Sequence, residues 1–475
     1  MRGQSKQVVY LAPSMQQALI AREEFLRRDG DAILGTKFLT ETVFINELWK
    51  LAGKSNFVTP THSQCYACIC SAFKKLGESP EVSKVRQARQ LIRQAGILLL
   101  SDEIITKHLS ENEAKLLEIT RAYFPLLEEQ GFLDPSQKYF DFDKSILEGQ
   151  GYEFVFLPGA VPSLCFKEFC RRNNFQFSIL PERQIEKPTA EMKFAFPAGE
   201  YSKPKLVLDM IEEQPDCKTV FLTAKEPLEL FDQLKFAAKQ KKYQLKVNES
   251  FRFFHTDFGK AIFGLFNFLR FEQDFRFDEL YAFLSSRFSG FSLQQAMDLD
   301  RDLRSSREKK AGSLRDIIYE IAEKSDTFKI LVHIFESAEF SDENYKALHG
   351  YVSAMGFTTR YRQLQHNAID VLYDFVKAFS STGNNLGIAM KILERIGISL
   401  HYESVVEDPV KEISIDILHQ AGNFKPGSFD QCIICDLNSR DYPMTQRGNS
   451  IELMLNKMGL LPENNYQESL RDCFA

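Results

Sequence analysis

The sequence predicts an α/β protein built as two parallel-sheet domains, each interrupted by a helical insertion. Three observations carry that reading. Short β-branched and aromatic runs bounded by turns begin near residues 8, 153 and 219, with two more at 412–419 and 429–437. The tracts between these groups of strands show helical periodicity alone. A stretch rich in Pro, Glu and Lys at 183–204 separates the two halves as a linker. At roughly 150 residues per domain, 475 residues leave room for about three packed units.

In chain order, Val8 to Ala12 (VVYLA) reads as a strand ended by Pro13 and Ser14, after which Met15 to Arg28 has helical spacing. Ala32 to Phe38 reads as a second strand. Thr40 and Thr42 then stand before FINELWKLAG, a capped helix stopped at Gly53. From Thr61 to Gln130 the pattern is helical only: CYACICSAFKKLG with Thr61 or Ser63 as N-cap, VSKVRQARQLIRQAGILL, and AKLLEITRAYFPLLEEQG. EFVFLPGAVPSLCFKEFCRRN restores a buried strand, a Pro/Gly turn and a helix, and FQFSIL adds a strand. The first domain is therefore assigned to 1–60 and 150–182, with 61–149 inserted.

LVLDMIEE, the strand TVFLTA, the helix EPLELFDQLKFAAKQKK and the strand YQLKVN open the second domain. Residues 257–410 read as its helical insertion, with candidate helices at GKAIFGLFNFLRF, FDELYAFLSSRF, LRDIIYEIAEK, FKILVHIFESA and AIDVLYDFVKAFSS. EISIDILH and FDQCIICDL read as closing strands, the second apolar enough for a parallel sheet buried on both faces. The second domain is thus 205–256 with 411–475.

Apolar residues make up 44% and charged residues 26%, which excludes a disordered chain and a coiled-coil rod. Lys and Arg number 59 against 65 Asp and Glu, for a net charge of −6, so any nucleic-acid surface must be local. No apolar run approaches the roughly 18 residues that span a bilayer. MRGQSKQVVYLAP holds too few apolar residues before Pro13 for a secretory segment, so a cytoplasmic protein without a membrane partner is expected. Nine cysteines, an odd number, point to reduced buried thiols. The 42 Phe outnumber 16 Tyr and one Trp, and rings without a polar handle belong mainly to the core.

Two α/β domains split by helical insertions make a RecA-like, superfamily 1 helicase layout, which directs attention to phosphate and Mg²⁺ residues. A P-loop needs GxxxxGK[ST], whose glycines let backbone N–H groups curl around phosphates. Gly53, Lys54 and Ser55 supply the GK[ST] but follow a helix, and Leu48 stands where the first glycine belongs. The strand Phe154 to Leu157 runs into Pro158, Gly159 and Ala160, with no carboxylate to hold Mg²⁺. ATP hydrolysis, catalytic residues and a cofactor are therefore not expected of this chain.

The segment ISIDILHQAGNFKPGSFDQCIICDLNSRDYPM resembles UvrD-like helicases and, more closely, AddB/RexB-type helicase-nuclease subunits, through Ala421, Gly422, Phe429, Asp430, Ile433, Ile434, Leu437, Asn438, Tyr442 and Pro443. VVYLAPS, which contains Pro13 and Ser14, FVFLPGAVPS, QLKFAAKQKKYQLKVNESFRFFHTDFGKAIFGLFNFL and the tail from Ile451 resemble the same family in order. His419, Gln420 and Arg440 fall within its strongest block.

Proteins of this family continue into a nuclease domain with an iron–sulphur cluster, and this chain stops before either. The resemblance therefore implies a RecC-like, non-catalytic, helicase-like DNA-binding subunit or fragment. It implies action on single-stranded or forked DNA in double-strand-break repair and recombination, beside an AddA/RexA-like helicase-nuclease partner that supplies ATP chemistry. The alternatives are a two-domain Rossmann-like small-molecule-binding protein or enzyme, and a truncated inert remnant. Against the Rossmann reading, Pro13, Ser14 and Met15 follow the first strand in place of a glycine-rich turn.

For DNA contact, Arg86, Arg89 and Arg93 fall on one helical face of the first insertion. Arg301, Arg304, Arg307, Lys309, Lys310 and Arg315 are basic in the second, and Lys235, Lys239, Lys241, Lys242 and Lys246 form a third group. His62, Cys65, Cys68 and Cys70 have spacing compatible with one helical side, yet no second pair stands at an obvious spacing. Buried thiols are the expectation, not a metal site.

Overall fold

In the computed structural model the described residues are 6–29, 35–53, 58–141, 144–147, 151–180, 193–199, 202–270, 276–305, 311–417, 429–436 and 450–461. They form two compact units, Met1–Phe196 with Pro443–Ala475, and Pro197–Tyr442.

The first unit begins β1 (Lys6–Leu11), α1 (Met15–Asp29), β2 (Thr36–Leu39) and α2 (Glu41–Leu51). Its insertion carries α3 (His62–Lys75), α4 (Val82–Ala95) and α5 (Glu111–Glu129), and the core resumes with β3 (Gly151–Phe156), α6 (Leu164–Asn173) and β4 (Gln176–Ile179). The four strands lie in the order β2-β1-β3-β4, all parallel, with Val9 opposite both Lys37 and Phe154.

Helices cover both faces, so β1 and β3 are apolar on both sides. On one face Val9, Leu11, Phe154 and Phe156 pack with Phe44, Phe166 and Phe169, while Phe38, Ala12, Ala18 and Leu157 fill the other. Phe154 meets Phe44 and Phe166 edge to face at 5.0 and 5.1 Å, and Tyr10 stacks on Phe38 at 4.9 Å. Such pairs add about 0.5–1.5 kcal/mol each beyond burial, which is where much of the phenylalanine excess goes.

α4 ends at Gly96, whose φ is +54°. A Cβ there would lie 2.3 Å from the Ser136 Cβ, so only glycine lets the turn close on Ser136, whose Oγ accepts the Ile97 N–H at 2.8 Å.

The second unit comprises α7 (Lys203–Glu212), β5 (Thr219–Ala224), α8 (Pro227–Gln240) and β6 (Tyr243–Arg252). Eight helices follow among the described residues: α9 (Asp257–Arg270), α10 (Phe277–Leu284), α11 (Leu293–Ser305), α12 (Ala311–Ala322), α13 (Asp326–Ser337), α14 (Asp342–Ala354), α15 (Thr359–Ser381) and α16 (Leu386–Leu393). The sheet closes with β7 (Gly397–Glu403), β8 (Lys411–Ile417) and β9 (Gln431–Ile434), in the order β7-β6-β8-β5-β9.

Two features depart from the expected layout. Residues 397–403, placed in the helical insertion on sequence, form an edge strand antiparallel to β6, so the second sheet is mixed and not wholly parallel. Ile398 and Leu400 are the inward residues of β7, and two such positions are too few to separate a strand from a helix end by periodicity. Second, α17 (Ser450–Lys457), expected with the second domain, belongs to the first unit. Its Ile451, Met454 and Leu455 are buried, and Lys457 pairs with Glu113 of α5 at 2.7 Å. Among the described residues no helix is long and apolar enough to cross a membrane.

Candidate nucleic-acid interface

α4 is built from two stripes. Val85, Ala88, Leu91, Ile92 and Ala95 are buried, and beside them Arg86, Arg89 and Arg93 recur at helical spacing. α3 starts at Thr61, whose Oγ1 accepts from the Gln64 N–H while the Gln64 side chain accepts from the Thr61 N–H. That box aims the first turn of α3, with His62 and Tyr66, at the arginine stripe.

His62 sits edge-on to Tyr66, ring centres 5.0 Å apart. Partial burial of the imidazole, and then the positive charges of Arg89 and Arg93, lower His62 to about 4. Burial raises the Tyr66 hydroxyl, against the opposing pull of Arg89, Arg86 and Arg93. Three cations and an exposed imidazole therefore share one face, with the buried Tyr66 ring packed against the imidazole. Among the described residues no carboxylate lies within ion-pair distance of Arg89 or Arg93, and Arg89 Nε is enclosed without an acceptor. Arg93 is exposed, and Arg86 and Arg89 are half-buried. Such an arrangement suits an oxyanion from outside the chain.

The second basic group differs. Arg301 pairs with Asp298 at 2.8 Å, and Arg304 with Asp300 at 2.9 Å and Asp278 at 2.7 Å. Arg307, Lys309 and Lys310 lie outside the described residues, as does the side chain of Arg315. In the third group Lys235 pairs with Asp232 at 2.9 Å, Lys241 with Glu212, and Lys246 with Glu412 at 2.8 Å.

The positions drawn from the family resemblance divide as well. Pro13 and Ser14 form the turn between β1 and α1, where Ser14 Oγ accepts the Gln17 N–H at 3.3 Å. Asp430 is structural in its contacts: one carboxylate oxygen accepts the Lys218 and Thr219 N–H groups, both at 2.8 Å, and the Thr219 hydroxyl at 3.0 Å. Those bonds lower its pKa and tie the entry of β9 to β5. His419, Gln420, Ala421, Gly422, Asn438, Arg440 and Pro443 lie outside the described residues.

Gly53, at φ +69°, follows the end of α2, its N–H donating to Lys50 O at 3.1 Å, so it serves as a helix stop. Lys54 and Ser55 are outside the described residues. Cys65, Cys68 and Cys70 are buried, and desolvation pushes the Cys68 and Cys70 thiols up to about 12.

Sequence reasoning did not single out Glu41. It stands at the carboxyl edge of the first sheet, where open α/β sheets take ligands, and accepts the Ser163 N–H at 3.0 Å together with the hydroxyls of Ser163 and Tyr139. The chain's own carboxylate thus joins the starts of α2 and α6. Its position in the first turn of a capped helix is the only local signal, and the partners 98 and 122 residues away are not legible locally.

No protein-family model matches this chain, and no curated protein matches it.

Proposed function

We propose that this chain is a non-catalytic, helicase-like DNA-binding subunit that holds single-stranded or forked DNA through the Arg86, Arg89 and Arg93 face, in the manner of AddB/RexB or RecC-type subunits. In this reading the two interrupted α/β units are RecA-like domains that have given up nucleotide chemistry. Their ATP-driven work belongs to an AddA/RexA-like partner, in double-strand-break repair and recombination. The observation that carries the reading is the arginine stripe itself: Arg89 and Arg93 have no acidic partner among the described residues, and the exposed His62 stands alongside.

Guanidinium groups track phosphates, and a solvent-accessible ring such as His62 takes a base in a sequence-tolerant way. The turn of Pro158, Gly159 and Ala160 supplies no carboxylate after β3, and the Glu41 carboxylate is engaged by the chain's own donors. Both agree with loss of Mg²⁺–nucleotide chemistry at this sheet edge.

The test is fluorescence anisotropy of labelled single-stranded and forked DNA against the purified chain, titrated with salt. Binding whose logarithm falls linearly with log salt, and which weakens in the triple variant R86A/R89A/R93A, is the expected result. Absence of binding at low salt overturns it.

A further inference from the structure

α14 and α15 lie side by side in the second insertion, linked by residues 355–358, and one line of polar side chains runs across their contact. Asp370 Oδ1 accepts from Tyr345 Oη at 2.7 Å and lies 2.7 Å from His349 Nε2. His349 Nδ1 is 2.5 Å from His366 Nδ1, and His366 Nε2 is 3.2 Å from Ser353 Oγ. The two imidazole rings are 4.4 Å apart, and Tyr345 packs on His349 at the same distance.

Proton counting limits what this line can hold. With both imidazoles neutral, every contact is a hydrogen bond: Ser353 donates to His366 Nε2, His366 Nδ1 to His349 Nδ1, and His349 Nε2 to Asp370. One added proton fits at His366 Nε2, with the Ser353 hydroxyl turned to accept. A second must go between the two Nδ1 atoms, where two N–H groups at that separation repel and the bond is lost.

We propose that the His349–His366 pair is an acid-operated latch, holding α14 on α15 while it carries at most one extra proton and releasing α14 when it takes the second. The charges that act on His366 come from α14 and α15: His349, Asp370 and Arg362. Tyr345, Tyr373, Asp374, Asp342, Lys346 and Lys377 are further titratable groups on those helices. Burial first, then His349 and Arg362, lower His366, while Asp370 opposes them. Each unfolded histidine takes a proton near pH 6.5 whereas the folded pair resists taking both, so the latch's contribution is present above that value and is lost as pH falls below it through the pair's second protonation. The proposal is independent of any DNA contact.

Amide hydrogen exchange on the full chain, corrected for intrinsic rates, tests it at about pH 7 and about pH 5, either side of the unperturbed histidine value. Protection of α14 should fall by about tenfold or more relative to α9, one pKa unit being a factor of ten, and H366Q should remove that pH dependence. Unchanged α14 protection in the wild type overturns the latch. Carbon-13 histidine labelling of the wild type gives a second reading that needs no variant. Two coupled, well-separated titration steps for this pair support the latch. Two independent curves, both near 6.5, overturn it.

Discussion

α4 of the first unit and α11 of the second both carry arginines at helical spacing, and their surroundings make them opposites. In α11 the arginines sit among Asp298, Asp300 and Asp302, and Arg301 and Arg304 are neutralised on their own helix at i−3 and i−4. α4 contains no acidic residue, and the face next to it offers the exposed imidazole of His62. The number of cations is a poor guide to an anion site. The acids three and four positions away decide whether those cations are available.

The largest expected effect comes from removing the α4 set. R86A/R89A/R93A should weaken single-strand binding by about tenfold or more near physiological salt, while R301A/R304A leaves it within about twofold, since Arg301 and Arg304 are already neutralised. Equal losses would erase the distinction between the two helices. The same titrations should show the triple variant's log–log salt slope shallower by about 2, at about 0.7 per phosphate contact on single strands. A slope identical to wild type would mean that α4 touches no phosphate.

The converse change can make α11 resemble α4. D298N/D300N frees Arg301 and loosens Arg304, and single-strand affinity should rise by about two- to threefold, as expected for exposed pairs worth less than about 1 kcal/mol. A further effect concerns pH. Burial and the Arg89 and Arg93 charges hold His62 near 4, and a bound phosphate offsets those charges, so the complex takes up a proton that the free protein does not. Affinity should therefore rise a few-fold, about one pKa unit being tenfold at most, as pH falls below the unperturbed histidine value. H62Q should flatten that profile. A wild-type affinity constant across the same range would place His62 away from the bound strand.

Much of the fold was legible because its signals are local. VVYLA, EFVFL and TVFLTA are apolar on both strand faces and end at turns, and the parallel core strands β1, β3 and β5 overlap them. The helical insertion of the first unit followed from the cap at Thr61 and from apolar spacing. What stayed hidden depends on distant partners. β7 is a strand because β6 supplies hydrogen bonds from about 150 residues earlier, as in Ser250 opposite Ser399. α17 joins the first unit through Glu113, 344 residues before Lys457. The arginine stripe was visible from its spacing, but its neighbours His62 and Tyr66 come from another helix, and the His349–His366 contact bridges two helices. The neutralisation of α11 was the exception: Asp298 and Asp300 stand at readable offsets from Arg301 and Arg304.

The return of α17 to the first unit makes the second unit an internal loop of the first, with covalent crossings at 196–197 and 442–443. A single proteolytic cut at either crossing leaves the two units joined by the other. Cuts at both would leave the second unit as one continuous polypeptide and the first as two fragments. Among the described residues, the fragment that carries α17 would then stay attached through the buried Ile451, Met454, Leu455 and Met458, the Ile105 N–H bond to Met458 O at 3.3 Å and the Lys457–Glu113 pair. Splitting the chain at 442–443 thus becomes a question of whether the segment that carries α17 can find α4 in trans, which would make that helix pair a natural place to divide the protein for complementation.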